Sequence, residues 1–320
     1  MNVGLILRTD IHEGTQRKDG KIALSNIEIH VTAKLAKWLK LKYATDKDGK
    51  NAQRMMEAIV QFEPDPRLNI WAGRILLPSS RPNLSGILNL NTWSYPYASR
   101  FPAIWFGRDN GAVVWGHLND GKVKYHLAVS EGRYGNEKGG KNPDKQISGR
   151  LSYNFWDSEP GYYNKNTYYG DRDILTIGLT HERQKNAAGD GVSMANFTGW
   201  SADLMMEKKL MNGGVAGIEG AIYHYDIEGL ADARFQEGNA LYTTATYLWP
   251  TALGIGKFQP HVRYMQFNRK FSGTHRSWDI GTNYVINGHK ARASLVYRTE
   301  KTADSNQWHD SVILGFQLIL

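Results

Sequence analysis

The chain has 320 residues, no Cys, 33 Gly, 17 Tyr, 10 Trp, a formal net charge of +8 and a mean hydropathy of −0.50. Absence of Cys excludes disulfides, Cys-containing zinc sites and c-type haem attached to this chain. Absence of any run of about 18 apolar residues excludes a helical membrane span, but not a β-barrel, in which only alternate residues face lipid.

The excess of basic residues fits nucleic acid, an anionic membrane face or an anion-attracting cavity, and the placement of the charges decides among them. MNVGLILRTD has neither a basic n-region nor a long apolar h-region. For an exported protein, the expectation is therefore a numbering that begins at the mature chain.

Alternating segments recur from end to end. NVGLILRT sets Val3, Leu5 and Leu7 against Gly4, Ile6 and Arg8. ALSNIEIHVTAK sets Ile27, Ile29 and Val31 against Glu28 and His30, and WLKLKYA sets Leu39, Leu41 and Tyr43 against Lys40 and Lys42. MMEAIVQF predicts Met56, Ala58, Val60 and Phe62 outward with Glu57 and Gln61 inward. In IWAGRILLP, Arg74 shares parity with Leu68 and Ile70, which points to a subunit interface or a bulged strand.

KVKYHLAVS opposes Val123, Tyr125, Leu127 and Val129 to Lys124 and His126, and later strands oppose Arg150, Arg263, Asp279, Arg292 and Arg298 to apolar neighbours. The last stretch, HDSVILGFQLIL, puts Val312, Leu314, Phe316, Leu318 and Leu320 on one side. So regular a strand at a terminus, where chains usually fray, is expected to close a barrel by pairing with NVGLILRT. Aromatics at segment ends, among them Trp38, Tyr43, Trp115, Trp200, Trp249, Trp278 and Trp308, predict an interfacial girdle.

The predicted fold is all-β: a transmembrane antiparallel barrel of about 16 strands, one domain over residues 1–320. Short joins are expected near Ala33–Ala36, Glu63–Pro66, Asn119–Gly121, Asn212–Gly214, Pro250–Gly254 and Asn287–His289. Longer loops are expected at 10–21, 46–52, 78–109, 132–145, 185–193 and 300–307, and Ser158–Arg172 is long for its place among the short turns. The third long loop, 78–109, is rich in Pro, Trp and Tyr, which speaks against disorder. Folded into the lumen, it brings Arg81, Arg100 or Arg108 to the narrowest point; a plain external cap is the alternative.

No catalytic constellation stands out. GxSxG, the P-loop and GxGxxG followed by a helix are missing, and His12-Glu13 and His181-Glu182 lack the HExxH spacing. The expectation is therefore no enzyme, no metal and no cofactor. By parity the lumen carries Arg8, Lys40, Lys42, Lys124, Arg150, Arg263, Lys290, Arg292 and Arg298, offset by Glu28, Glu57, Glu207 and Asp279. A net basic lumen raises the local anion concentration; for any single residue, a wall salt bridge without effect on transport is an equal alternative.

RLNIWAGRILLPSSR, GRDNGAVVWGHLNDGKVKYHLAVSEGR, GKFQPHVRYMQF, GTNYVINGHKARASLVYR and DSVILGFQLIL together resemble the phosphate-selective porin O and P family of Gram-negative outer membranes. The resemblance spans roughly the whole chain. It implies a homotrimer in outer-membrane lipid, an inward-folded third loop, and passive passage of small anionic or polar solutes with no nucleic-acid partner. A second reading is a porin-like sheath around a multihaem cytochrome, the haem supplied by that partner. A third is a soluble β-sheet binding protein. If the final segment closes the barrel, replacing Leu314, Phe316 and Leu318 together with Asp should abolish insertion into bilayers, scored by detergent-free membrane flotation; a folded, inserted mutant would contradict it.

Overall fold

In the computed structural model the described residues are 1–15, 22–47, 53–99, 107–132, 144–189, 193–230, 236–302, 304–305 and 307–320. They form sixteen strands: β1 Asn2–Gly14, β2 Ile22–Ala36, β3 Leu39–Lys47, β4 Arg54–Asp65, β5 Leu68–Leu76, β6 Arg108–Leu118, β7 Val123–Ser130 and β8 Gln146–Asn154 make the first half. The second half is β9 Ile174–Gly189, β10 Met194–Lys209, β11 Val215–Asp226, β12 Gly238–Leu248, β13 Lys257–Arg269, β14 Gly273–Asn287, β15 Ala291–Lys301 and β16 His309–Ile319. Each strand pairs antiparallel with its sequence neighbours, and β1 pairs with β16, with Leu7 opposite Leu318 and Ile11 opposite Leu314. Closure leaves no edge with unpaired backbone groups.

Alternation explains the wall. On β16, Val312, Phe316 and Leu318 are exposed, while Ile313 and Gln317 are buried inside. The same exposed apolar parity continues through Leu5, Ile29, Val60, Leu127, Leu179 and Ile280. Trp38, Trp200, Trp249, Trp278 and Trp308 stand in the outer surface. Trp115 departs from the expected girdle: it is buried inside, edge-on to Trp71 at 5.4 Å and against Tyr162 at 5.5 Å.

Two further expectations are corrected by register. Ala44 faces Glu57 but Thr45 faces Met55, so Met56 is the extra residue of a bulge and turns inward, buried, instead of outward. β5 pairs with β6 without a break, and its irregularity against β4 falls on β4 between Phe62 and Asp65, so no bulge in β5 itself explains the parity of Arg74; it donates to Asn110 Oδ1 and to the Met55 carbonyl, both at 3.1 Å. The joins also shift, because strands run further than alternation alone indicates: β1 continues to Gly14, β2 to Ala36 and β4 to Asp65.

Both chain termini lie at one end of the barrel, here the turn end; the other is the loop end. The segment 77–107, which leaves from the loop end, contains a short helix, α1 (Arg81–Ser85). The segment 155–173, the long join flagged by the sequence, leaves from the turn end. The described part of the first, residues 77–99, and the whole of the second fold into the lumen, as the contacts below establish.

Candidate solute passage

Inward-facing side chains of five strands grip one stretch of the 77–107 segment by its backbone. Gln317 on β16 donates to the Leu88 carbonyl at 3.0 Å and Arg292 on β15 to that of Leu90 at 2.6 Å. Asn283 on β14 donates to the Asn91 carbonyl at 2.7 Å, and Arg8 on β1 to that of Trp93 at 2.6 Å. Arg263 on β13 donates to the Ser94 carbonyl and to Thr92 Oγ1, each at 2.7 Å. Residues 88–94 thus form a strap across β13–β16 and β1. Beyond the 3-10 turn Ile87–Asn89 the strap has no regular secondary structure and needs such partners, because a buried carbonyl left unpaired is costly. Gly315 permits the close approach, since a Cβ there would sit 2.5 Å from the Trp93 ring.

The turn-end insert is held in the same way. Lys124 Nζ donates to the Glu159 and Gly161 carbonyls at 3.0 and 2.8 Å and to Asn164 Oδ1 at 2.6 Å. Glu207 accepts from Thr167 Oγ1 at 2.6 Å and from the Tyr168 and Gly170 amides at 2.9 and 3.1 Å. The two inserts meet. Arg81 of α1 makes two bonds to the Glu159 carboxylate, at 2.5 and 2.9 Å, and a third to the Lys165 carbonyl at 2.7 Å. The Asn166 amide donates to the Asn89 carbonyl at 3.0 Å, and Tyr162 stacks on Trp71 at 4.4 Å.

Most basic residues expected in the lumen therefore face inward but are covered. Arg8, Arg81, Lys124, Arg150, Arg263 and Arg292 are all at most 3% exposed. Arg150 bonds Asp203 at 2.5 and 2.8 Å, and Arg263 and Arg298 share Asp279. Arg81 is fully buried in the contact between the inserts, so it does not line an open constriction. Lys40 pairs with Glu63 at 2.5 Å near the turn end. Lys290 is corrected outright: it sits exposed in the turn between β14 and β15, off the lumen wall. Arg100 lies outside the described residues.

Among the described residues, a cavity of about 470 Å³ lies open between the strap and the wall of β1–β4. Leu88, Trp93 and Tyr95 line it on one side; Asp10, Glu28, Lys42 and Glu57 line it on the other. Arg108 does line this space, bonded to Glu57 Oε1 at 3.1 Å, and the same carboxylate takes Lys42 at 2.6 Å. Asp10 and Glu28 have neutral or imidazole donors instead: the Trp93 indole at 3.0 Å and His30 at 2.8 Å. Sequence alone did not point to Asp10, Trp93 and Tyr163 as passage residues or to Glu159 as an anchor; the only signal for Glu159 was the unusual length of the join that carries it.

No family model and no curated protein sequence matches the chain. Solved structures do. The chain is similar to OmpF of Salmonella typhi, solved with daunomycin, at 12% identity and a TM-score of 0.65, covering 100% of this chain and 97% of that one. It is also similar to the outer-membrane channel DcaP of Acinetobacter baumannii, at 11% identity and a TM-score of 0.61 over 100% and 96% of the two chains. The trimer form of OmpT, an outer-membrane protein of Vibrio cholerae, matches at 10% identity and a TM-score of 0.62 over 100% and 98%. The shared feature is the fold, that of the outer-membrane porins.

The contact between the inserts is testable by mutation and by acid. Burial works against the Glu159 charge, but the Arg81 guanidinium more than compensates and holds the carboxyl at about 2, below its ordinary 4.5. A depressed carboxyl stabilises above its unfolded value and loses that contribution as pH falls. The contact should thus be at full strength above about pH 4.5 and vanish as pH drops through about 2. Arg81→Ala, which strands a buried carboxylate, should cost roughly 3–5 kcal/mol in guanidinium unfolding of the inserted barrel and increase open-channel current noise. Glu159→Gln should flatten the acid dependence; an unchanged acid profile in that variant would contradict the assignment.

Proposed function

We propose that the chain is a porin of a Gram-negative outer membrane, through which small polar solutes diffuse passively, and that it assembles as a homotrimer. The observation that carries this reading is the cavity between the strap and β1–β4, inside a closed barrel whose outer face is apolar. An apolar outer surface of this extent suits lipid, and a polar interior suits water and solute. In this orientation the turn end faces the periplasm and the loop end faces outward.

Selectivity follows from the groups that line the space rather than from the charge of the whole chain. Four cations, Arg8, Lys42, Arg108 and Arg298, stand against three carboxylates, Asp10, Glu28 and Glu57. Arg298 is paired with Asp279, at 2.7 Å, a carboxylate that it shares with Arg263. The anion preference implied by the resemblance is accordingly proposed as weak. The strap and the turn-end insert occupy the space that a multihaem cytochrome would have to cross, which weighs against the sheath reading, and the exposed apolar belt weighs against a soluble binding protein.

The test is the zero-current potential of the inserted protein under a KCl gradient. A small potential of the sign for chloride permeation is expected. A value near the ideal for either ion, or no conductance from inserted protein, would overturn the proposal.

A further inference from the structure

Glu182 is a carboxylate that the barrel buries without a counter-charge. Alternation turns it inward on β9, where it is 2% exposed, while its sequence neighbours His181 and Arg183 stand exposed on the outer face. Its Oε2 has no hydrogen-bond partner, and among the described residues no ion pair reaches it. Glu57, Glu159, Asp203 and Asp279 are comparably buried, yet each of them takes a guanidinium. Arg150, the inward cation one register step away on β8, is bonded twice to Asp203 and does not serve Glu182.

Register explains the space in front of this side chain. Glu182 faces Ser148 on β8 and Gly199 on β10, and Thr180, the preceding inward residue of β9, faces Ser201. A glycine and short hydroxyl side chains leave a hollow of about 150 Å³, lined by Thr180, Glu182, Gly199, Ser201 and Tyr225 among others and too narrow to admit a water molecule. Ser201 Oγ, which lines it, is also without a partner, and Ser201 is 2% exposed. Tyr225 donates to the Ala98 carbonyl at 2.9 Å, so the hollow lies against the anchorage of the 77–107 segment.

A buried carboxylate is normally paired or bound to a metal ion, because an isolated charge in a low-dielectric interior is far costlier than an unpaired neutral group. The groups at hand are carboxylate and hydroxyl oxygens, which suit hard cations and not the transition metals that seek imidazole or thiolate. One carboxylate balances one positive charge, and among the described residues no three His, Asp or Glu stand close enough to hold a more highly charged metal. An unhydrated sodium ion is smaller than a water molecule; potassium is about as large as one. We propose that Glu182, with the hydroxyls of Ser201 and Thr180, holds a dehydrated sodium ion that ties β9 to β10 behind the 77–107 segment.

The test is thermal unfolding of the membrane-inserted protein, followed by the loss of β-sheet circular dichroism, in sodium, potassium, calcium or N-methylglucamine chloride at equal ionic strength. The buffer is held at about pH 8, where a carboxyl of ordinary acidity is ionised. Sodium should raise the midpoint above that in N-methylglucamine by an amount that grows with the logarithm of its concentration, and potassium should raise it less. In Glu182→Gln, which keeps the shape and removes the charge, the sodium response should vanish. Ser201→Ala should weaken that response, and serves if Glu182→Gln does not insert. A native midpoint indifferent to sodium, a response that survives Glu182→Gln, or a larger effect of potassium or calcium than of sodium would overturn the inference.

Discussion

The capture of backbone carbonyls by interior arginines is the interaction on which the rest of the structure depends. A closed barrel of sixteen strands satisfies its own wall, but its interior is wide, and an irregular chain can cross it only if something pairs its carbonyls. Arg8, Arg263 and Arg292 do so from three strands, with Asn283 and Gln317 between them. Guanidinium groups suit this role because each has several donors in a fixed plane and keeps its charge when buried. Those donors are aimed at main-chain oxygens, so positive charge that parity would assign to solute is committed to holding the chain.

The cavity proposed as the passage is then the space that this fixation leaves. The strap is drawn toward β13–β16 and β1, and the turn-end insert rises to meet it through Arg81 and Glu159. The wall of β1–β4 keeps its polar groups toward the opening. Lys42, Glu57 and Arg108 form a compact triad in which one carboxylate balances two cations. Asp10 and Glu28 are bonded to indole and imidazole nitrogens. The result is a small, nearly balanced and dipolar opening inside a chain whose overall charge is +8. Net charge is a poor guide here because Arg8, Arg263 and Arg292 are committed to the strap.

Alternation made the barrel legible in the sequence, including its closure. The strand that ends the chain shows the same period as the strand that starts it, and Leu7 does face Leu318. Parity also put Arg8, Arg263 and Arg292 inside, but parity reports a side of the sheet and says nothing of a partner. The carbonyl that Arg292 binds is 202 residues away in the chain, a separation that no local pattern encodes. Met56 was misplaced because a bulge inserts one residue without changing composition. Trp115 resembled a girdle residue at a strand end, yet it closes an interior aromatic cluster with Trp71 and Tyr162. The length of Ser158–Arg172 was visible as an anomaly; its role as the support beneath the strap appears only when the strands bring Lys124, Glu207 and Arg81 around it.

In the proposed channel solute moves along β1–β4, while the anchored inserts fill the opposite side of the lumen among the described residues. Because the chain has no Cys, single cysteines can map this directly with a charged methanethiosulfonate reagent during current recording. Ser25 and Ser94 line the cavity, whereas Ser148 and Ser201 are buried on β8 and β10, away from it. Modification should reduce the current through Ser25→Cys and Ser94→Cys and leave Ser148→Cys and Ser201→Cys unaffected. Rapid block at 148 and 201, with none at 25 and 94, would show that ions take the other side of the barrel and that the strap does not lie where its arginine anchors place it.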